Sequence, residues 1–356
     1  MRRMTARAAN QRLPMSKPRL ILDQHFRQLE ELFSPSAYAA LDALCDIHGG
    51  VNWPMPRADV VARLPEAQFV IAAEPALEQS DLDQAPDLRA IIEVSGRFHT
   101  GIDYDLCFER GIEVLSCAPG FRRSVAEMAL GLMIAGGRGI VEEHERFRAG
   151  SERWLNDNTE TDFSLYGQTI GFVGFGSIGQ ECLRLLRPFA PRIRAFDPWL
   201  QSAGASFDGV TLCGLQEVLT TCRCIVVAAT PTEDNYQLVS RDLIDLIPRG
   251  TLVVVISRAH LVDFDALVAA AEDGRIRLAS DVFPQEPVPK RATMRQAENV
   301  IWSPHRAAAV DGGRHPIGDM ILHDVQAILD GRAERHLQAA SPDTVHKITR
   351  GPLAAG

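Results

Sequence analysis

An α/β fold with two parallel-sheet domains is what the sequence predicts, on three observations. Short runs rich in Val and Ile recur along the chain, each followed by a segment of helical periodicity, the alternation that parallel sheets require. The runs fall into an earlier and a later set, separated by one long helical stretch. At 356 residues and about 150 residues per domain, the chain is too long for one ordinary core and suits two.

Taken in order, the earlier runs are Leu20-Ile21-Leu22, Phe69-Val70-Ile71, Ala90 to Val94 and Ile112 to Leu115, which make one sheet. The later runs are Thr169 to Phe175, Ile193 to Phe196, Cys224 to Ala228, Leu252 to Ile256, Ile276 to Val282 and Val300-Ile301-Trp302, which make a second. Between them a single helix is expected from about Ser124 to Gly150, where Ser124 with Glu127 three residues on fits a capping box. A last helix is expected near Ile317 to Leu329. A basic N-terminus (residues 1–17), with arginines and no acid, reads as disordered, and residues 336–356 read as a polar tail.

Apolar residues make up 46% of the chain and charged ones 23%, so sizeable cores are available and disorder throughout is excluded. Lys and Arg total 37 against 46 for Asp and Glu, a net charge of −9. That balance gives no electrostatic footprint for a polyanion and argues against nucleic acids and acidic membranes as partners. The seven cysteines are scattered, with no C-x-x-C pair or metal-ligand spacing, which fits a reducing cytoplasm and predicts no metal site. The longest weakly polar stretch, Val125 to Val141, carries Glu127 and Arg138 and falls short of a membrane span.

The run from Thr169 to Gln180 is an apolar strand feeding G-x-G-x-x-G and then a helix pattern. Gly174 permits the tight turn, Gly176 lets backbone approach a pyrophosphate, and Gly179 lets the helix pack close, with the anion at the helix N-terminus beside Ser177 and Ile178. A second apolar strand ends in Asp197, eighteen residues after Gly179, where an acid accepts the hydrogen bonds of an adenosine ribose. Together these predict a Rossmann-like dinucleotide site. A carboxylate at Asp197 repels the 2′-phosphate of NADP, and Pro198 and Trp199 offer no cation to offset it, so NAD is the expected cofactor.

A nicotinamide enzyme acting on a keto or hydroxy acid needs a cation for the carboxylate, a proton donor and acceptor for the oxygen, and a group to tune it. Arg258 after the run Leu252 to Ser257, Glu286 after Ser280 to Gln285, and His305 in Ser303-Pro304-His305 fit these needs, all near strand ends where ligands bind in doubly wound sheets.

With these residues in order, the chain from about Leu88 to about Asp330 resembles the D-isomer-specific 2-hydroxyacid dehydrogenase family. The motifs are G-x-G-x-x-G with Asp197, Thr230-Pro231-Thr232, the Arg258 strand with Leu261-Val262-Asp263, Asp281-Val282-Phe283 with Glu286-Pro287, and Pro304-His305. The resemblance implies a cofactor domain (123–305) inserted into a substrate domain (18–122 plus 306–335), and a homodimer formed through the cofactor domain. It implies that Arg258 binds the substrate carboxylate and that His305 exchanges a proton with the substrate oxygen. Glu286 orients the imidazole and favours its protonated form, Thr230 and Pro231 contact the cofactor, and Asp281 faces the nicotinamide end.

Phe98, His99, Thr100 and Gly101 look like the family's substrate loop, whose backbone N–H groups cradle the carboxylate. His99 stands where small residues are usual, and it or Arg97 is a candidate for reading a second anionic group on the substrate. The expected reaction is NAD-dependent interconversion of a small 2-keto acid and a D-2-hydroxy acid. Two alternatives share the motifs: a non-catalytic NAD(H)-sensing protein, and a dehydrogenase of the formate or phosphite type.

Overall fold

The computed structural model describes residues 17–155, 158 and 160–345. The expected disordered N-terminus, up to residue 16, and the tail beyond Val345 lie outside them.

Two sheets form. The first contains β1 (Arg19–Asp23), β2 (Asp46–Gly49), β3 (Ala67–Ala72), β4 (Ala90–Glu93), β5 (Glu113–Ser116) and β13 (Gln338–Ala339), in the order β13-β5-β4-β3-β1-β2. All its pairings are parallel except β13 with β5. The second contains β6 (Thr169–Val173), β7 (Arg192–Phe196), β8 (Val210–Leu212), β9 (Cys224–Val227), β10 (Leu252–Val255), β11 (Arg277–Ser280) and β12 (Val300–Trp302). Its order, β12-β11-β10-β9-β6-β7-β8, is parallel throughout. The order reverses between β6 and β9, and the crevice at the carboxyl ends of those two strands is where such sheets bind ligands.

The central strands are buried on both faces, as continuous apolar runs demand: β4, β9 and β10 have no exposed residue. Three strands were not expected. β2 reads DIHG, β8 has three residues and β13 two. All three lie at or next to sheet edges, where partial exposure removes the apolar signature.

The chain passes from the first sheet to the second near Phe121 and returns near Gly313. Val125, Ala126, Ala129, Leu132 and Met133 of the helix Arg122–Gly137 pack into the core of the second sheet. Ile317, Ile321 and Val325 of the helix His315–Leu329 pack into the core of the first. The two crossings are tied together: the Ser124 hydroxyl donates to the Gly313 carbonyl at 3.0 Å. Ser124 is therefore the third residue of its helix and not the cap expected of it, because the preceding turn Ala118–Phe121 starts the helix at Arg122.

The single long helix is likewise corrected to two, Arg122–Gly137 and Ile140–Ala149, inclined at 54°. Gly139 breaks it with a left-handed φ of +61°. The buried guanidinium of Arg277 clamps the break, donating to the Gly136 carbonyl at 2.9 Å and pairing with Glu142 at 2.9 Å and Asp162 at 2.7 Å. Among the described residues no single helix is long and apolar enough to cross a membrane. All seven cysteines are buried and free.

Candidate active site

The glycine-rich turn leaves β6 at Val173. Gly174 has φ +87°, and a Cβ there would lie 2.3 Å from the Ala229 Cα, so no other residue fits. A Cβ on Gly179 would touch the Phe175 ring at 3.0 Å, which is the close helix packing expected. Gly176 differs: nothing lies within 4 Å of its Cβ position. Gly176 and Ser177 are exposed and Ile178 is partly so, at the start of the helix Ser177–Leu186, whose N-cap Gly176 supplies no side-chain partner. Open backbone N–H groups beside an empty approach fit a pyrophosphate.

Asp197, at the end of β7, is 8% exposed. One carboxylate oxygen accepts from the Phe175 N–H at 2.9 Å and the other from the Leu200 N–H at 3.1 Å. It thus ties the glycine loop to the short helix Pro198–Ser202. Arg194, the nearest cation in sequence, is engaged by Glu217. Thr230 and Pro231 follow β9. Asn235 donates to the Thr230 carbonyl at 2.8 Å, and the His260 ring lies 2.8 Å from the Thr232 carbonyl. His260 thereby braces this loop.

The three catalytic candidates end neighbouring parts of the second sheet. His305 Nδ1 lies 2.6 Å from Glu286 Oε2. Because an ionised carboxylate only accepts, Nδ1 carries the proton and Nε2 is left for a substrate. Glu286 Oε1 accepts from the Phe283 N–H at 2.8 Å. Burial pushes the Glu286 carboxyl up, but the hydrogen bond from His305, its charge, the Phe283 N–H and the Arg258 charge outweigh it and hold Glu286 below the usual carboxylate range. His305 sits in the left-handed region, φ +52°, an uncommon conformation for a residue with a Cβ.

The loop that holds His305 is anchored by Asp281. This residue, expected at the nicotinamide end, is fully buried. Its oxygens accept from the Ser303 hydroxyl, the Arg306 N–H at 2.8 Å and the Ala307 N–H at 3.0 Å. Its visible work is to shape the turn on which His305 stands.

Arg258 follows β10 and donates from Nη1 to the Ser257 carbonyl at 2.7 Å. Burial draws its guanidinium below the ordinary value, with Glu286 opposing the shift and Arg97 adding to it. The charges of Glu286, after β11, and of Arg97, in the loop after β4, both act on Arg258.

That loop is built on Glu93, which the sequence reading did not single out. Glu93 ends β4, is fully buried, and accepts from the Ser95 and Gly96 N–H groups and the Ser95 hydroxyl, all at 2.8 Å. It also accepts from the Ser116 hydroxyl and the Cys117 N–H. Burial raises its carboxyl against these bonds. Above it, Phe98 packs edge-on to Tyr104 at 6.3 Å, Thr100 is exposed, and the Gly101 carbonyl accepts from the Leu77 N–H at 2.8 Å. His99 Nε2 lies 2.7 Å from the Ser95 hydroxyl. Burial and the Arg97 charge push His99 down to about 4, so the ring is neutral near pH 7. A cationic role for His99 is thereby withdrawn. Arg97, whose nearest acid is Glu74 at 4.0 Å, keeps the candidacy.

The chain is similar to known proteins in sequence and in structure. The model of the D-isomer specific 2-hydroxyacid dehydrogenase NAD binding domain matches residues 130–307. The crystal structure of a phosphoglycerate oxidoreductase from Rhizobium etli superposes with a TM-score of 0.81 at 34% identity, over 91% of this chain and 99% of that one. A D-3-phosphoglycerate dehydrogenase of Methanocaldococcus jannaschii is 26% identical over 78% of this chain but only 52% of its own length, so the chain spans about half of that relative. A glyoxylate reductase of Thermofilum pendens is 27% identical over 82% of this chain and 87% of its own.

Proposed function

The chain belongs to the D-isomer specific 2-hydroxyacid dehydrogenases, and from that premise we propose that it interconverts a 2-keto acid and a D-2-hydroxy acid with NAD(H). The observation that carries the reading is the 2.6 Å pair of His305 and Glu286 with the Arg258 charge beside it. The bound nicotinamide supplies or accepts the hydride. His305 delivers a proton from Nε2 to the carbonyl oxygen and recovers it in the oxidative direction. Glu286, held ionised, keeps the ring oriented and offsets the charge it gains. Arg258 offers its planar fork to the substrate carboxylate, a geometry that Lys cannot supply.

The adenosine side is assigned to Gly176, Ser177, Ile178 and Asp197, with Thr230 and Pro231 along the cofactor. The Asp197 carboxylate, with Arg194 already paired to Glu217, favours NAD over NADP. We take 123–305 as the cofactor domain and 18–122 with 306–335 as the substrate domain. A homodimer is supported by Ile140, Phe147 and Trp154, large apolar side chains exposed on the helix Ile140–Ala149 or just after it. Seven buried free thiols fit a reducing compartment such as the cytoplasm.

The substrate is proposed to carry a second anionic group, read by Arg97. Its charge acts on Arg258, which makes it a second cation available to an acid that carries two charges. The test follows NADH absorbance with glyoxylate, pyruvate and hydroxypyruvate against 2-ketoglutarate and a phosphorylated 2-keto acid. Arg258-dependent oxidation across the panel supports the reaction, and a preference for the doubly charged acids that Arg97→Ala abolishes supports the substrate class. Silence on every 2-keto acid, with NADH binding retained, overturns the reading.

A further inference from the structure

We propose that His323, Glu334 and His336 form a binding site for a divalent transition metal of the zinc class, separate from the catalytic residues. His323 lies on the helix His315–Leu329, and Glu334 and His336 lie on the segment that leads into β13. Their candidate ligand atoms all fall within 4.8 Å of one another. The two imidazoles are stacked, with centroids 3.5 Å apart and planes inclined by 3°.

The donor atoms follow from the hydrogen bonds. His323 Nδ1 lies 2.8 Å from Asp324 Oδ1. The carboxylate can only accept, so Nδ1 carries the proton and Nε2 keeps its lone pair. Asp324 is fully buried and also accepts from the His336 N–H at 2.8 Å and the Leu337 N–H at 2.8 Å. One buried carboxylate therefore sets the tautomer of the first imidazole and fixes the backbone that carries the second. This is the outer-sphere carboxylate–histidine arrangement that tunes metal sites. His336 Nε2 faces Glu334 Oε1 at 3.6 Å, a position an ion can occupy between nitrogen and oxygen.

Metal bonds of about 2.0–2.2 Å to N and O in a tetrahedron need a tighter cluster than this one, so the parallel rings must splay for both lone pairs to converge. The side chains have room to do so, being 25% exposed at His323, 46% at His336 and 69% at Glu334. The open side also admits a water as fourth ligand. Two imidazoles with one carboxylate and no thiolate suit zinc, nickel or copper and disfavour magnesium or calcium. A bound ion would pin the segment 334–336 to the helix, just ahead of buried Leu337 and of the strand that closes the first sheet's edge.

The test uses the untagged full chain, stripped with chelator and titrated with zinc chloride, with binding read by equilibrium dialysis and stability by thermal unfolding. One equivalent of zinc with micromolar or tighter affinity and a zinc-dependent rise in Tm are expected. His323→Gln, His336→Gln and Glu334→Gln should each weaken that affinity at least about tenfold, and His305→Gln, which alters the other imidazole–carboxylate pair, should leave it intact. Glu334 is the most exposed of the three, so its variant decides the matter should a histidine variant fail to fold. No zinc uptake, uptake unchanged in the folded variants, or loss only in His305→Gln overturns the proposal.

Discussion

His305 Nδ1 and Glu286 Oε2 are 2.6 Å apart, and the other oxygen of Glu286 is held by the Phe283 N–H. A proton donor is thus oriented by an anion that is itself oriented by backbone. His305→Gln should lower kcat by about 10²–10⁴ while leaving NADH affinity in a binding titration unchanged. Equal losses in both would make His305 structural. Glu286→Gln keeps an acceptor for Nδ1 but removes the charge that offsets the proton transfer at His305, so kcat should fall while NADH affinity is retained. Losses of NADH affinity and kcat in equal measure would show that Glu286 only supports the loop.

Arg258 is predicted to act on binding and on the chemical step together, because its guanidinium meets the substrate carboxylate beside the reacting carbonyl. Arg258→Ala should cost about 10²–10³ in kcat/KM, the worth of two charge-assisted hydrogen bonds, with KM raised and kcat lowered. Arg258→Lys keeps the charge and loses the fork, so steady-state kinetics should place it between the two. Wild-type constants for the Ala variant would remove Arg258 from the mechanism.

The sequence reveals this site unevenly, and particular residues say why. Gly174, Gly176 and Gly179 are legible because turn, approach and packing each demand glycine at a fixed spacing, and Arg258, Glu286 and His305 because each follows an apolar run. Glu93 escapes notice: it ends a buried strand, and its partners Ser116 and Cys117 are the last residue of β5 and the one after it, brought alongside only by the register that sets Glu93 against Ser116. The break at Gly139 is equally hidden, since the clamp that holds it, Arg277, lies on β11 far along the chain. Asp197 is expected at the cofactor from its strand-end position, and Asp281 from the resemblance. Their hydrogen bonds to Phe175 and Leu200, and to Ser303, Arg306 and Ala307, depend on loops that periodicity does not place.

Glu93 offers a direct test of how the substrate loop is held. Glu93→Ala removes the acceptor of the Ser95, Gly96 and Cys117 N–H groups and of the buried Ser116 hydroxyl. At about 1–3 kcal/mol for each unsatisfied group, partly relieved by entering water, the expected destabilisation is on the order of 3–5 kcal/mol in urea unfolding. Glu93→Gln retains one accepting oxygen and should lose roughly half as much. KM should rise in the Gln variant, since the loop it shapes carries Arg97. An Ala variant as stable as wild type would mean that the loop finds other acceptors.

The substrate loop also makes stability sensitive to acid through His99. Burial and the neighbouring Arg97 charge depress the ring to about 4 from its ordinary 6.5, so between these values the unfolded chain binds a proton that the folded chain does not. Stability therefore rises with pH across that window and is lost as pH falls from 6.5 toward 4, where the folded ring must also become charged. Discounted for partial exposure, the contribution is on the order of 1–2 kcal/mol. His99→Gln keeps a polar partner for Ser95 and does not titrate, so its unfolding midpoint should fall less steeply than wild type between pH 6.5 and 4. Parallel profiles for the two proteins would show that His99 is protonated alike in both states and that the neutral ring is not what the loop requires.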